Sequence, residues 1–259
     1  MADKKEFSPL LVDSLPGRDL GRVLNDIDQM EKDNDILSRE IIGEQQIHLF
    51  EKLLKLQLEA LSFAAENAKQ WSLSDRVIVA MAGRVFNHLR ASFKLLLAGY
   101  WSESLVLDRS AHEAMSRELF FYCCPEKTGL FFKDKQIWQK EVDEQVAQKL
   151  AQGEAIKEAL RGSYRDSSQW SHPNLLAIQL QTLSDNKEEI GSKTILGPIL
   201  LHEGIFAQQF AGLIALALSA TRILAAIGLH QATDTWRDEL EELEETAKSL
   251  FSSYGVRLD

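Results

Sequence analysis

Apolar residues recur at three- and four-residue spacing along most of the chain, a period that predicts helices nearly throughout. From Asp19 onward Leu20, Val23, Leu24, Ile27 and Met30 fall on one face, and the charged stretch MEKDNDILSRE either continues that helix or briefly interrupts it. Between Glu44 and Gln70, the residues Ile47, Phe50, Leu54, Leu58, Leu61 and Ala65 form a stripe opposite Glu51, Lys55 and Glu59. Ser72 or Ser74 is suited to cap a third helix, from about Asp75 to Ala98 through Val79, Val85, Phe86, Leu89, Phe93 and Leu96. Gly99 ends it, and a fourth helix runs from Trp101 to Cys124, where Pro125 follows.

The second half predicts a charged amphipathic helix within residues 126–152, containing Phe131, Trp138, Val142 and Val146 and broken by Gly153. A short segment, Glu154 to Arg161, leads into the irregular stretch RGSYRDSSQWSHPN. Pro173 suits the first turn of a helix reaching Leu180, which puts His172 at or beside a helix start. Residues 184–197 read as a polar loop, and Pro198 opens a core helix towards Gly228. A last helix, Thr233 to Phe251, carries Leu240, Leu243 and Leu250 as its apolar side. The pattern needs no β-strand. The expected fold is all-α, a single helical bundle with a polar arm over 1–17, N-terminal helices over 18–74, a core over 75–230 and a C-terminal helix over 231–259.

The chain has 259 residues, of which 45% are hydrophobic and 26% charged, enough to bury a substantial core. Its net charge of −10 argues against a protein that coats nucleic acid, because such binding is driven by Lys and Arg neutralising phosphates. A local basic pocket is compatible with that balance. The N-terminus has no apolar run of signal-peptide length, so a cytoplasmic protein is expected. FAGLIALALSA, residues 210–220, is the most apolar run but falls short of the ~20 residues a bilayer span needs. It is read as a core helix, with no membrane contact. The two cysteines, Cys123 and Cys124, are adjacent and cannot staple distant parts of the fold. They read as buried free thiols, with a vicinal redox pair as the alternative.

No Glu-x-x-His pair occurs at any of the six histidines, and HExxH is absent because neither His112-Glu113 nor His202-Glu203 has the second histidine. The phosphate-loop, dinucleotide-binding and GxSxG signatures are missing too. No metal or cofactor is expected. What remains is a polar set on apolar helices: Arg90, Arg109, Glu113 and Arg117. Arg109 and Glu113 are four apart on one helix face, with Arg117 next in the row. That row reads either as an intrahelical ion pair holding two helices in register or as the lining of a site.

A second set is Tyr164, Arg165, Asp166, Ser167, Ser168, Trp170, Ser171 and His172. It can bring a permanent cation and a titratable imidazole to one pocket. In phosphodiester cleavage an arginine stabilises charge on the phosphorane oxygens while a histidine moves protons near neutral pH. Alternatively Tyr164 and Trp170 pack, Asp166 or Ser171 caps a helix, and His172 bonds a nearby carbonyl.

Arg165-DSSQWS-His172 resembles the motif of the HEPN superfamily, whose ribonuclease members carry an arginine, four to six residues and a histidine. FNHLRASFKLLLAGYWSESLVLDRSAHEAMSRELFFYC followed by YRDSSQWSHPN is similar to a prokaryotic HEPN-like family with an Arg-x-x-x-Glu row and a Tyr-x-x-x-Ser-x-x-x-His segment. The matching positions are Arg109, Glu113, Tyr164, Ser168 and His172, and the resemblance spans roughly 75–230. It implies a bundle that dimerises so that two Arg/His sets share a cleft. It also implies a metal-independent endoribonuclease of toxin–antitoxin or antiviral type, acting on RNA and held by a neutralising or regulatory protein. In that reading His172 and Arg165 are catalytic, and Tyr164, Ser168, Arg109 and Glu113 bind substrate. Other members are noncatalytic modules that bind a protein or nucleotide.

Overall fold

The computed structural model describes residues 10–11, 14–66, 71–133, 138–150, 154–155, 157–158, 161, 182–183, 193–198, 203–228 and 234–253. Within them the fold is all-α. Helices α1 (Leu20–Ile42) and α2 (Glu44–Glu66) are joined through Gly43, and α3 (Leu73–Ala98) and α4 (Trp101–Cys123) through Gly99 and Tyr100. A 3₁₀ turn (Pro125–Lys127) and the short α5 (Thr128–Phe131) precede α6 (Gln139–Lys149), and α7 (Glu203–Ala226) and α8 (Asp234–Ser253) complete the set.

The helix starts follow local chemistry. Asp19 caps α1 by accepting from the Gly21 amide at 2.9 Å. Ser72 and Asp75 form a reciprocal capping box at the head of α3, its two bonds being 3.2 and 2.8 Å. MEKDNDILSRE continues α1 without a break.

At the other end of α3, each of the last four carbonyls has a partner. Gly99 adopts φ 94°, the left-handed conformation glycine takes at no steric cost. That turn lets the Tyr100 amide reach Leu95 O at 2.8 Å and the Gly99 amide reach Leu96 O at 3.1 Å. Helix α1 supplies the rest: Ser38 Oγ donates to Leu97 O at 3.0 Å and Asn34 Nδ2 to Ala98 O at 3.2 Å. A helix end can be buried only when its orphan carbonyls are bonded in this way.

The core centres on α2, α3 and α7, where Phe50, Phe93 and Phe210 form a triangle of rings with centroids 4.8 to 6.0 Å apart. Helix α8 docks on α2 through Trp236, whose indole N–H donates to Leu56 O at 3.1 Å. The N-terminal helices are therefore part of the core, with Phe50, Leu53 and Leu56 fully buried.

Several expectations change. Leu20 and Leu24 are 65% and 64% exposed; of the expected face Val23 is buried, and further along α1 turns Asn34, Ser38 and Ile42 inward, because its docking partner is the polar end of α3. On α2 Ile47, Phe50 and Leu54 of the expected stripe are buried, but so are Leu53, Gln57, Ala60 and Ala64, while Leu58 and Ala65 lie outside; the one-face stripe missed a helix covered on more than one side. The helix expected within 126–152 is divided, with Trp138 exposed at the N-cap of α6. Strands are present: β1 (Leu10–Leu11), β2 (Thr182–Leu183) and β3 (Lys193–Leu196) form a small antiparallel sheet in the order β1-β3-β2. Thus part of the arm pairs with part of the expected 184–197 loop, in the register Leu10 to Leu196 and Leu11 to Ile195.

Helix α7 extends beyond its apolar run on both sides to 24 residues, and by length and composition alone it would suffice to cross a membrane. Length therefore does not mark it as a core helix. Phe206, Phe210, Leu213, Ile214, Ala217 and Thr221 are buried in the bundle, and half of its apolar window is buried.

Candidate functional site

Helix α4 carries the chemistry. Because Gly99 and Tyr100 reverse the chain tightly, α4 lies antiparallel against α3, with Ser92 opposite Ser104 near the turn and Ser74 Oγ donating to Phe121 O at 3.1 Å at the far end. The seam facing α3 reads Ser104, Asp108, Ala111, Met115 and Glu118, an alternation of four- and three-residue steps, and all five are buried. Three of them are polar.

Ser92 Oγ lies 2.5 Å from Asp108 Oδ1, 2.8 Å from Ser104 Oγ and 3.2 Å from Ser104 O. Gln209 of α7 extends the chain, donating to Trp101 O at 3.0 Å and to Ser104 Oγ at 3.4 Å. Three helices are thus tied by one buried polar strip. Burial pushes the Asp108 carboxyl up to about 7, against the opposing effect of the Ser92 hydrogen bond.

His112 sits one turn beyond Asp108. Its Nδ1 is buried and has no hydrogen-bond partner among the described residues, and burial lowers the imidazole to about 4, so it is neutral near pH 7. Glu118 is 1% exposed, its Oε1 equally without a partner there, and burial raises its carboxyl well above the ordinary range.

On the flank of α4, Arg109 Nε donates to Glu113 Oε1 at 3.3 Å, and the two side chains retain 19% and 31% of their exposure. Of the predicted row, Arg109 and Glu113 therefore form a partly buried ion pair. Arg90 belongs to the solvent face of α3, outside any such set. Tyr164, Arg165, Ser168 and His172 lie outside the described residues. Cys124 is buried, with Sγ 3.6 Å from Gln145 Oε1, and Cys123 is half-buried; both are free thiols.

The sequence reading weighed His112 only as a metal ligand and passed over Asp108, Glu118, Ser92, Ser104 and Gln209. Their signal was phase: Ser104, Asp108 and Glu118 share the period of Ala111 and Met115, which marks them as facing inward rather than solvent. Among the described residues no three His, Cys, Asp or Glu side chains converge as a metal-binding group. Two concavities occur elsewhere: an apolar one lined by Ile42, Phe210, Ile214 and Phe251, and a polar one lined by Arg18, Asp19, Arg22 and Asp26. Neither is lined by α4.

Comparison with known proteins finds no match, whether to a family model, a curated protein or a solved structure.

Proposed function

We propose that this chain is a metal-independent endoribonuclease of the HEPN type. The observation that carries the reading is the Arg109–Glu113 pair, fixed at 3.3 Å on a helix of an all-α bundle, in a sequence that also holds Arg165 and His172 with six residues between them. The first supplies an anchored cation, the second an arginine and a proton carrier of the kind RNA cleavage needs.

In the proposed reaction His172 takes the proton from a ribose 2′-hydroxyl as its oxygen attacks the adjacent phosphorus. The bond from phosphorus to the 5′-oxygen breaks, that oxygen gains a proton, and a 2′,3′-cyclic phosphate remains. Arg165 stabilises the charge that grows on the nonbridging oxygens. Tyr164 and Ser168 orient the substrate, and Arg109, held by Glu113, contacts its backbone. RNA is the proposed substrate, with a second copy of the chain completing the cleft and a regulatory protein restraining it. The test is cleavage of single-stranded RNA in EDTA by the wild type and by His172→Ala.

Two observations favour a noncatalytic module that binds a protein or nucleotide. At a net charge of −10 the chain opposes long-range attraction of RNA, and Arg109 is already tied to a carboxylate. That reading predicts a copurifying partner or nucleotide and no cleavage.

A further inference from the structure

Helix α3 carries a charge pattern that the proposed reaction does not use. From Arg76 onward its exposed side chains are Arg76, Ala80, Arg84, Asn87, Arg90 and Lys94, each three or four residues after the last. They therefore form one row along the solvent side of the helix, while Val77, Met81, Val85, Leu89 and Phe93 are buried. The row holds four cations and no carboxylate. The one acidic residue of α3, Asp75, is bonded into the capping box at its head.

In a chain of net charge −10, such a row is a segregated surface. On other helices Arg39, Lys55, Arg109, Lys127 and Arg222 are each tied to a carboxylate at 2.7 to 3.3 Å. Among the described residues no carboxylate pairs with any of the four cations of the α3 row. Arg84 Nε donates instead to His88 Nε2 at 3.0 Å, which fixes the guanidinium and leaves its two terminal amino groups for other acceptors. The exposed acids gather on α8, as Asp238, Glu241, Glu242 and Glu245, and α8 packs on α2 and α7. At physiological ionic strength the Debye length is about 8 Å, so net charge governs distant approach while the local row governs contact.

We propose that this row of α3 is a docking surface for the phosphodiester backbone of single-stranded RNA, an inference that rests on the ribonuclease reading above and extends it. Arg76 to Lys94 spans roughly 27 Å of helix, long enough to follow several nucleotides. Arginine presents a planar fork of donors that matches two phosphate oxygens at once. Ala80 and Asn87, short side chains between the cations, let a strand approach the helix closely, and the Asn87 amide adds a neutral donor. The chemistry of the row favours a polyanion over a protein partner: none of its six residues is aromatic or a large aliphatic, and protein interfaces centre on such groups. With no aromatic side chain for bases to stack on, the row grips phosphates and is indifferent to sequence.

The test is fluorescence anisotropy of the full chain with a labelled 2′-O-methyl oligouridylate of roughly 12 nucleotides, repeated at several salt concentrations. This probe carries the phosphates but no free 2′-hydroxyl, so binding is read without cleavage. Four phosphate contacts should make log K fall with log salt at a slope of about −3, some −0.7 for each. The double variant Arg84→Gln/Arg90→Gln should bind more weakly and flatten that slope by about 1.4. The double variant Lys55→Gln/Lys140→Gln removes the same charge from residues paired with Glu59 and Glu144, and should bind as the wild type does. No binding by the wild type, equal losses in the two variants, or a dimer seen by sedimentation only while Arg84 and Arg90 are intact overturns the docking surface. Cleavage of unmodified RNA is scored separately: a chain that binds the probe but cuts no RNA keeps the surface and loses the ribonuclease reading.

Discussion

Gln57 on α2 places its side-chain amide 3.1 Å from both Thr221 Oγ1 and Ala217 O on α7, and this polar contact lies inside the apolar core. Thr221 Oγ1 in turn donates to Ala217 O at 2.8 Å, so its proton is used within its own helix and its lone pair is left for Gln57. Truncation removes a fully buried side chain and the donor it carries. Gln57→Ala is therefore expected to lower unfolding free energy by about 2–4 kcal/mol, from cavity and lost bond together. Gln57→Leu refills most of the volume and strands no donor, so about 1 kcal/mol is expected. Chemical denaturation of the three proteins checks both values, and equal losses would contradict the hydrogen-bond role.

The closure of α3 by α1 makes a second prediction. Ser38→Ala and Asn34→Ala each leave a buried carbonyl without its side-chain donor, at a cost of about 1–3 kcal/mol. Gly99→Ala strains the left-handed turn that joins α3 to α4, for about 1–2 kcal/mol. Thermal melts should show all three below the wild type, with Ser92, Ser104 and Asp108 still in contact in the Ser38 variant.

Protonation within α4 predicts opposing pH dependences. Asp108 holds a proton in the folded chain up to about 7, against 3.8 for an ordinary aspartate, and Glu118 is also raised. Between pH ~5 and ~6 Asp108 therefore binds about one more proton folded than unfolded, and Glu118 is shifted in the same direction, so each makes stability fall as pH rises. His112, lowered from 6.5 to about 4, binds about one proton fewer when folded and makes stability rise across the same window. Asp108→Asn should thus turn the slope of stability against pH upward by about 1.4 kcal/mol per pH unit, and Glu118→Gln should turn it upward as well. His112→Gln should turn it downward by a similar amount. Denaturation midpoints at several pH values in this window give the three slopes directly.

Long amphipathic helices were legible in the sequence because their period and punctuation agree: Asp19, Ser72 and Gly99 stand at real helix boundaries. Which face of α1 or α2 turns inward was not legible, since that depends on what docks there. Leu20 looks like core but lies outside, while Asn34 looks like surface but is fully buried on the carbonyls of α3. The small sheet escaped notice because a two-residue strand leaves no alternation to read. Of the candidate site, the i, i+4 spacing of Arg109 and Glu113 announced their pair. Asp108 and Glu118 were hidden by their charge, which reads as solvent-facing until their phase with Ala111 and Met115 is counted.

The most direct test of the proposed function is incubation of purified wild-type protein and His172→Ala with single-stranded RNA in excess EDTA. Cleavage by the wild type that leaves 2′,3′-cyclic phosphate ends, reduced at least ~100-fold in the variant as expected for loss of a general acid–base, is the predicted result. No cleavage by the wild type, or undiminished cleavage by His172→Ala, would contradict it.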